Sequence, residues 1–100
     1  MVLYINTKDR KQVTVSLKKD GGVVESLSEE NEYGSQVLLP LIEKILKQHD
    51  LEFNKLKGIE VEIGPGSFVG LRVGVSVANA LGFALSIPVN GKKIETELTY

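Results

Sequence analysis

Gly64-Pro65-Gly66-Ser67 follows an alternating apolar run and opens a long apolar stretch, the setting of an anion site at a helix N-terminus. Backbone N–H groups point outward there, and the helix dipole favours negative charge. A complete phosphate loop also needs G-x-x-x-x-G-K-[ST], whose lysine reaches the terminal phosphates. Here the glycines stand two apart and no lysine follows. Gly64, Gly66 and Ser67 therefore fit either a vestigial nucleotide loop or a tight turn with Ser67 capping a helix. Asn6 and Thr7, closing the first apolar run, are the other pair such a site would use. Asparagine lacks the charge to hold a Mg2+-bound water well.

The remaining polar candidates assemble into less. His49 is the single histidine and lies between Lys47 and Asp50, so it reads as a solvated helix-end residue without a second ligand. Asp9 belongs to a turn, KDRK, and is expected to face solvent. The run Glu29-Glu30-Asn31-Glu32 reads as solvated loop charge or a weak cation site. No cysteine is present, which excludes a thiolate nucleophile, a disulfide framework and a cysteine metal site. Nothing combines a base, a nucleophile and an oxyanion donor. The residues argue against a self-sufficient enzyme, and neither a cofactor nor a metal is expected.

With 100 residues, 42% hydrophobic and 25% charged, the chain has the size and composition of one folded domain. Twelve basic residues against thirteen acidic ones suggest neither nucleic acid nor an anionic membrane as a direct partner. MVLYINTKDRK has too short an apolar core for a signal peptide. The longest apolar region, 68–89, is broken by Arg72, Ser76, Asn79 and glycines, so a membrane span is not expected. A cytoplasmic location is the expectation.

The elements that must hold these residues follow from periodicity. Val2–Asn6 reads as a buried strand, and QVTVSL (12–17) as a half-buried one with Val13, Val15 and Leu17 on one face. Asp20-Gly21-Gly22 marks a hairpin turn built on the glycines, and Val23–Ser28 returns as a third strand. The polar segment 28–34 reads as a loop. A helix is expected from about Ser35, as N-cap, to His49, with Pro40 marking either a later start or a kink. A connector over 50–57 should turn Leu51, Phe53 and Leu56 inward. Ile59–Ile63 alternates as a strand, a second helix follows the glycine loop, and Ile87–Val89 forms a last short strand. The order βββαβαβ implies a mixed sheet with two helices packed on it, a single ribonuclease-H-like α/β lobe over 1–91. Residues 92–100 read as a tail, either an edge strand or frayed.

Both helices carry more apolar surface than one sheet absorbs. Gly70, Gly74, Ala78 and Gly82 recur every four residues as a smooth ridge. Each helical glycine costs about 1 kcal/mol relative to alanine, so the ridge calls for a close backbone contact in return. Val73, Val77 and Leu81 flank it, while Arg72, Ser76 and Asn79 form one narrow polar stripe. The first helix repeats the problem with Leu38, Leu41, Ile42 and Ile45 in one stripe. An interface through these residues with another chain is the expectation, with a core filled by long loops as the alternative.

GPGSFVGLRVGVSVANAL closely resembles the hallmark of the TsaB family (formerly YeaZ), usually GPGSFTGLR(I/V)G before a small-residue helix. SQVLLPLIEKIL resembles that family's HSQ-LLP-I--LL helix, and VLYINTK its opening strand, usually ILAIDTS. The match runs in order from about Val2 to Gly91. The resemblance implies an actin-like ATPase fold and a non-catalytic scaffold that partners the TsaD enzyme. With the TsaE ATPase, such proteins help make N6-threonylcarbamoyladenosine on tRNAs reading ANN codons. Their first-lobe helices pack against those of TsaD in a four-helix arrangement, with tRNA met only through the complex. A homodimer through the same helices is the other arrangement considered. The family's metal-organising aspartate is Asn6 here, its histidine is Gly34 and its threonine is Val69. Family members also usually carry a second, similar lobe. Surface facing it is expected to be exposed, covered by the tail or used for self-association. An alternative to the scaffold is a nucleotide-binding or ATPase module using Asn6, Thr7 and the Gly64–Ser67 loop.

Overall fold

The computed structural model describes residues 1–9, 11–30, 36–66 and 68–91. Ser35, Gly34, Ser67 and the 92–100 tail, all invoked above, lie outside them. Three strands open the chain: β1 (Val2–Asn6), β2 (Gln12–Lys19) and β3 (Gly22–Glu30). Helix α1 (Leu38–Gln48) and a 3-10 turn over Phe53–Lys55 lead to β4 (Gly58–Val61), and helix α2 spans Phe68–Leu85. The sheet runs β3-β2-β1-β4, antiparallel except for the parallel β1–β4 pair. This is the mixed sheet with two helices that the element order implies.

Cross-strand partners share a face. Leu3 pairs with Leu17 and Ile59, and Ile5 with Val15 and Val61, so one face of the sheet is continuously apolar. Leu3, Ile5, Val15 and Leu17 are fully buried there. Both helices lie on that face, α1 over β2 and β3, α2 over β4 and β1. The opposite face is polar. Ser16 and Ser26 hydroxyls meet at 2.6 Å, Thr14 and Ser28 at 2.9 Å, and Tyr4 donates to Glu62 at 3.1 Å. Lys18 bonds Glu60 at 3.0 Å and lies 4.6 Å from the centre of the Tyr4 ring.

Several boundaries differ from the sequence reading, each for a local reason. The hairpin turns on Asp20 (φ 53°) and Gly21 (φ 82°), while Gly22 already pairs with Lys19. Positive φ at both central residues is the two-residue turn that matches strand twist, and Asp-Gly suits it. Strand β3 continues to Glu30 because its polar end still pairs with Gln12 and Val13. Strand β4 stops at Val61, and Ile63 is 57% exposed. Helix α1 starts at Leu38, which puts Pro40 in the first turn, where a missing N–H breaks no helical bond. The Ile87–Val89 strand shrinks to a single parallel bridge between Val89 and Ile59. Leu56 is buried, whereas Leu51 and Phe53 are only half-buried against the core.

Candidate docking face and glycine loop

The loop after β4 is a packed turn. Gly64 takes φ 124°, and a Cβ on Gly66 would lie 2.6 Å from Lys8 Cβ and 2.8 Å from its carbonyl oxygen. Only glycine lets the chain pass so near the end of β1. Asn6 Oδ1 accepts the Lys8 N–H at 3.1 Å, closing a local turn. Thr7 is fully buried, and its hydroxyl donates to the Gly70 carbonyl at 2.5 Å. One turn further on, a Cβ at Gly74 would collide with Thr7 Oγ1. The structure thus brings Gly66 against Lys8, beside Asn6 and Thr7, at the end of β1. The Thr7 hydroxyl fastens the end of β1 to α2, and Asn6 Oδ1 is engaged in the local turn.

The small ridge of α2 therefore has a partner inside the chain. Gly70, Gly74 and Ala78 are buried, and Thr7 seats itself on the two glycines. Leu38 (1% exposed), Leu41 (3%), Ile42 (0%) and Ile45 (0%) likewise fill the core between α1 and the sheet. These seven of the ten residues expected at a partner interface are already covered by the chain's own fold. Val73, Val77 and Leu81 are half-buried and still reachable.

The surface of α2 that is left open was not singled out from the sequence. Val69, Arg72, Ser76, Ala80, Phe83 and Ala84 are its exposed residues, with Val69 46% and Phe83 77% accessible. Positions 69, 73, 76, 80 and 83 follow three- and four-residue spacing and line one stripe. The signal was available, since these residues occupy the side of the helix opposite the small ridge. Leu39 on α1 is 47% exposed. His49 is not simply solvated: its Nε2 sits against the Glu25 carboxylate on β3. Among the described residues, no cluster of three or more His, Asp or Glu side chains is placed to hold a metal ion. No described helix is long and apolar enough to cross a membrane.

Comparisons with known proteins agree with the fold. The family model described as TsaD, tRNA N6-adenosine threonylcarbamoyltransferase, matches residues 7–91. The tRNA threonylcarbamoyladenosine biosynthesis protein TsaB of Buchnera aphidicola subsp. Schizaphis graminum is 33% identical over 93 residues, 91% of this chain and 43% of that protein. A tRNA N6-adenosine threonylcarbamoyltransferase of Nitrosospira multiformis is 44% identical over 71 residues, covering 71% of this chain and 20% of that protein. The solved structure of YeaZ from Pseudomonas aeruginosa superposes with a TM-score of 0.74 at 29% identity, over 88% of this chain and 40% of that one. The chain thus spans less than half the length of these relatives. With the match at 7–91, the TsaB relatives and the YeaZ fold in agreement, this chain belongs to the TsaD family of threonylcarbamoyladenosine proteins, on its TsaB (YeaZ) branch.

Proposed function

We propose that the chain is a non-catalytic partner of a TsaD-type enzyme in forming N6-threonylcarbamoyladenosine on tRNAs reading ANN codons. It docks through the open stripe of α2, with Val73, Val77 and Leu81 at the margin. TsaE joins through the resulting complex, and tRNA is met only there. The observation that carries this reading is the outer face of α2. It bears Val69, Ala80, Phe83 and Ala84, with Arg72 and Ser76 as its exposed polar residues. Small and apolar residues aligned along one helix let a second helix approach closely.

The test is a binding titration with the TsaD-type enzyme by calorimetry. Ala80→Glu and Phe83→Ser should each weaken binding by about tenfold or more, the size of an interfacial hot spot. Unchanged affinity in both would sink the docking face. Gly74 is unsuitable for this test, because any side chain there strikes Thr7 and perturbs the fold. The nucleotide-binding alternative predicts heat on adding Mg2+–ATP to the isolated chain, and the same instrument reads it.

A further inference from the structure

We propose that Asn90-Gly91 is a chemical modification site, where Asn90 deamidates through a succinimide and the product frees the 88–90 segment from the edge of β4. Asn90 alone among the asparagines precedes glycine; Asn6, Asn31, Asn54 and Asn79 precede Thr, Glu, Lys and Ala. The Gly91 backbone nitrogen attacks Asn90 Cγ, a C–N bond forms, and Nδ2 leaves as ammonia with the Gly91 amide proton. Water then opens the ring at either carbonyl, giving aspartate or isoaspartate. A side chain at position 91 would crowd this attack. Here both residues are exposed, and a Cβ on Gly91 would meet nothing within 4 Å.

The consequence follows from what the Asn90 amide holds. Its Oδ1 accepts the Val61 N–H at 2.8 Å, and its Nδ2 donates to the Val61 carbonyl at 3.2 Å. The Asn90 backbone N–H donates to Ile59 O at 2.7 Å, and the Ile59 N–H donates to Pro88 O at 2.9 Å. The side chain thus stands in for one more residue of an edge strand, satisfying both backbone groups of Val61. Aspartate places a carboxylate oxygen against the Val61 carbonyl where a donor stood. Isoaspartate routes the main chain through Cγ, so the paired bonds to Val61 cannot form. While the clamp holds, Cγ is turned toward Val61, so reaction proceeds from the locally open edge.

The folded chain is incubated at mildly alkaline pH, digested and mapped by mass spectrometry, with isoaspartate detected by enzymatic methylation. The mass gain of amide-to-acid conversion should appear first at Asn90 and vanish in Asn90→Gln. Isomerisation at Asp20-Gly21 carries no mass gain and is separated on that basis. In the modified fraction, hydrogen exchange at the Val61 amide should rise by roughly tenfold, the scale of one lost hydrogen bond. The amides between β1 and β2 should keep their protection. Mass gain appearing first at another asparagine would overturn the site. Unchanged Val61 exchange in the modified fraction would overturn the release.

Discussion

Thr7 and Gly74 make a pair whose energetics invert on substitution. Gly74→Ala in the parent drives a methyl group into Thr7 Oγ1 and should destabilise by about 1–3 kcal/mol as an overpacked contact. Thr7→Ala leaves the buried Gly70 carbonyl without that hydroxyl donor and should cost about 1 kcal/mol or somewhat more. With Thr7 already alanine, its Cβ lies 3.4 Å from a Cβ at Gly74, an ordinary van der Waals contact. Gly74→Ala should then be neutral or stabilising by up to ~1 kcal/mol, the helix preference for alanine. A double-mutant cycle by urea denaturation reads the change of sign, and simple additivity would refute the pairing. The sequence made the need for a close contact legible through the four-residue glycine spacing. It did not show which backbone fills it, because that depends on where β1 ends relative to α2. Tyr4 supplies a pH handle on the other sheet face. Burial first, then the Glu62 hydrogen bond and charge, raise its phenol above the ordinary 10.0. The folded chain keeps the proton where the unfolded chain releases it. Stability is therefore full below the ordinary value and falls as pH rises through the folded one. Tyr4→Phe should flatten that alkaline loss in denaturation midpoints measured against pH.

Helix endings show where sequence reading stopped short at the scale of elements. Both helices close in the same way: Leu51 N–H to Leu46 O at 2.9 Å with Asp50 N–H to Lys47 O at 3.1 Å, and Ile87 N–H to Gly82 O at 3.0 Å with Ser86 N–H to Phe83 O at 3.3 Å. This paired closure places one residue in the left-handed region, usually glycine. Here it is Asp50 at φ 50° and Ser86 at φ 56°. An L-residue there is strained by about 1–2 kcal/mol, and Ser86 is exposed with little packing to lose. Ser86→Gly should raise stability by roughly 0.5–1 kcal/mol after the entropy of the freer unfolded chain is deducted. A lower thermal midpoint would contradict this account. Alternation made β2 and β4 legible, since a half-buried strand imposes period two on its residues, and a short apolar run marked β1. The ends were not legible. Polar Glu29 and Glu30 extend β3 only because Gln12 and Val13 offer a ladder, and apolar Ile63 leaves β4 because the glycine loop must turn.

The whole molecule is one-sided: both helices cover one face of the sheet, and their outer surfaces have no further layer of this chain among the described residues. A single exposed apolar side chain is ordinary on any protein. Phe83 at 77% and Val69 at 46% are different because Ala80 and Ala84 share their face, so a second helix approaching there would meet a continuous shallow surface. If that face serves association and not folding, the two properties must separate on mutation. Ala80→Glu should shift the thermal midpoint little, since an exposed helical position tolerates glutamate to within about 0.5 kcal/mol. Ala78→Glu, two residues earlier on the buried side at 0% exposure, should unfold the domain. Any self-association of the parent, followed by analytical ultracentrifugation, should disappear in Ala80→Glu. It should also fall as a TsaD-type partner is titrated in, because two occupants compete for one surface. Self-association that persists in Ala80→Glu, or that survives a saturating partner, would move the interface to another surface of the lobe.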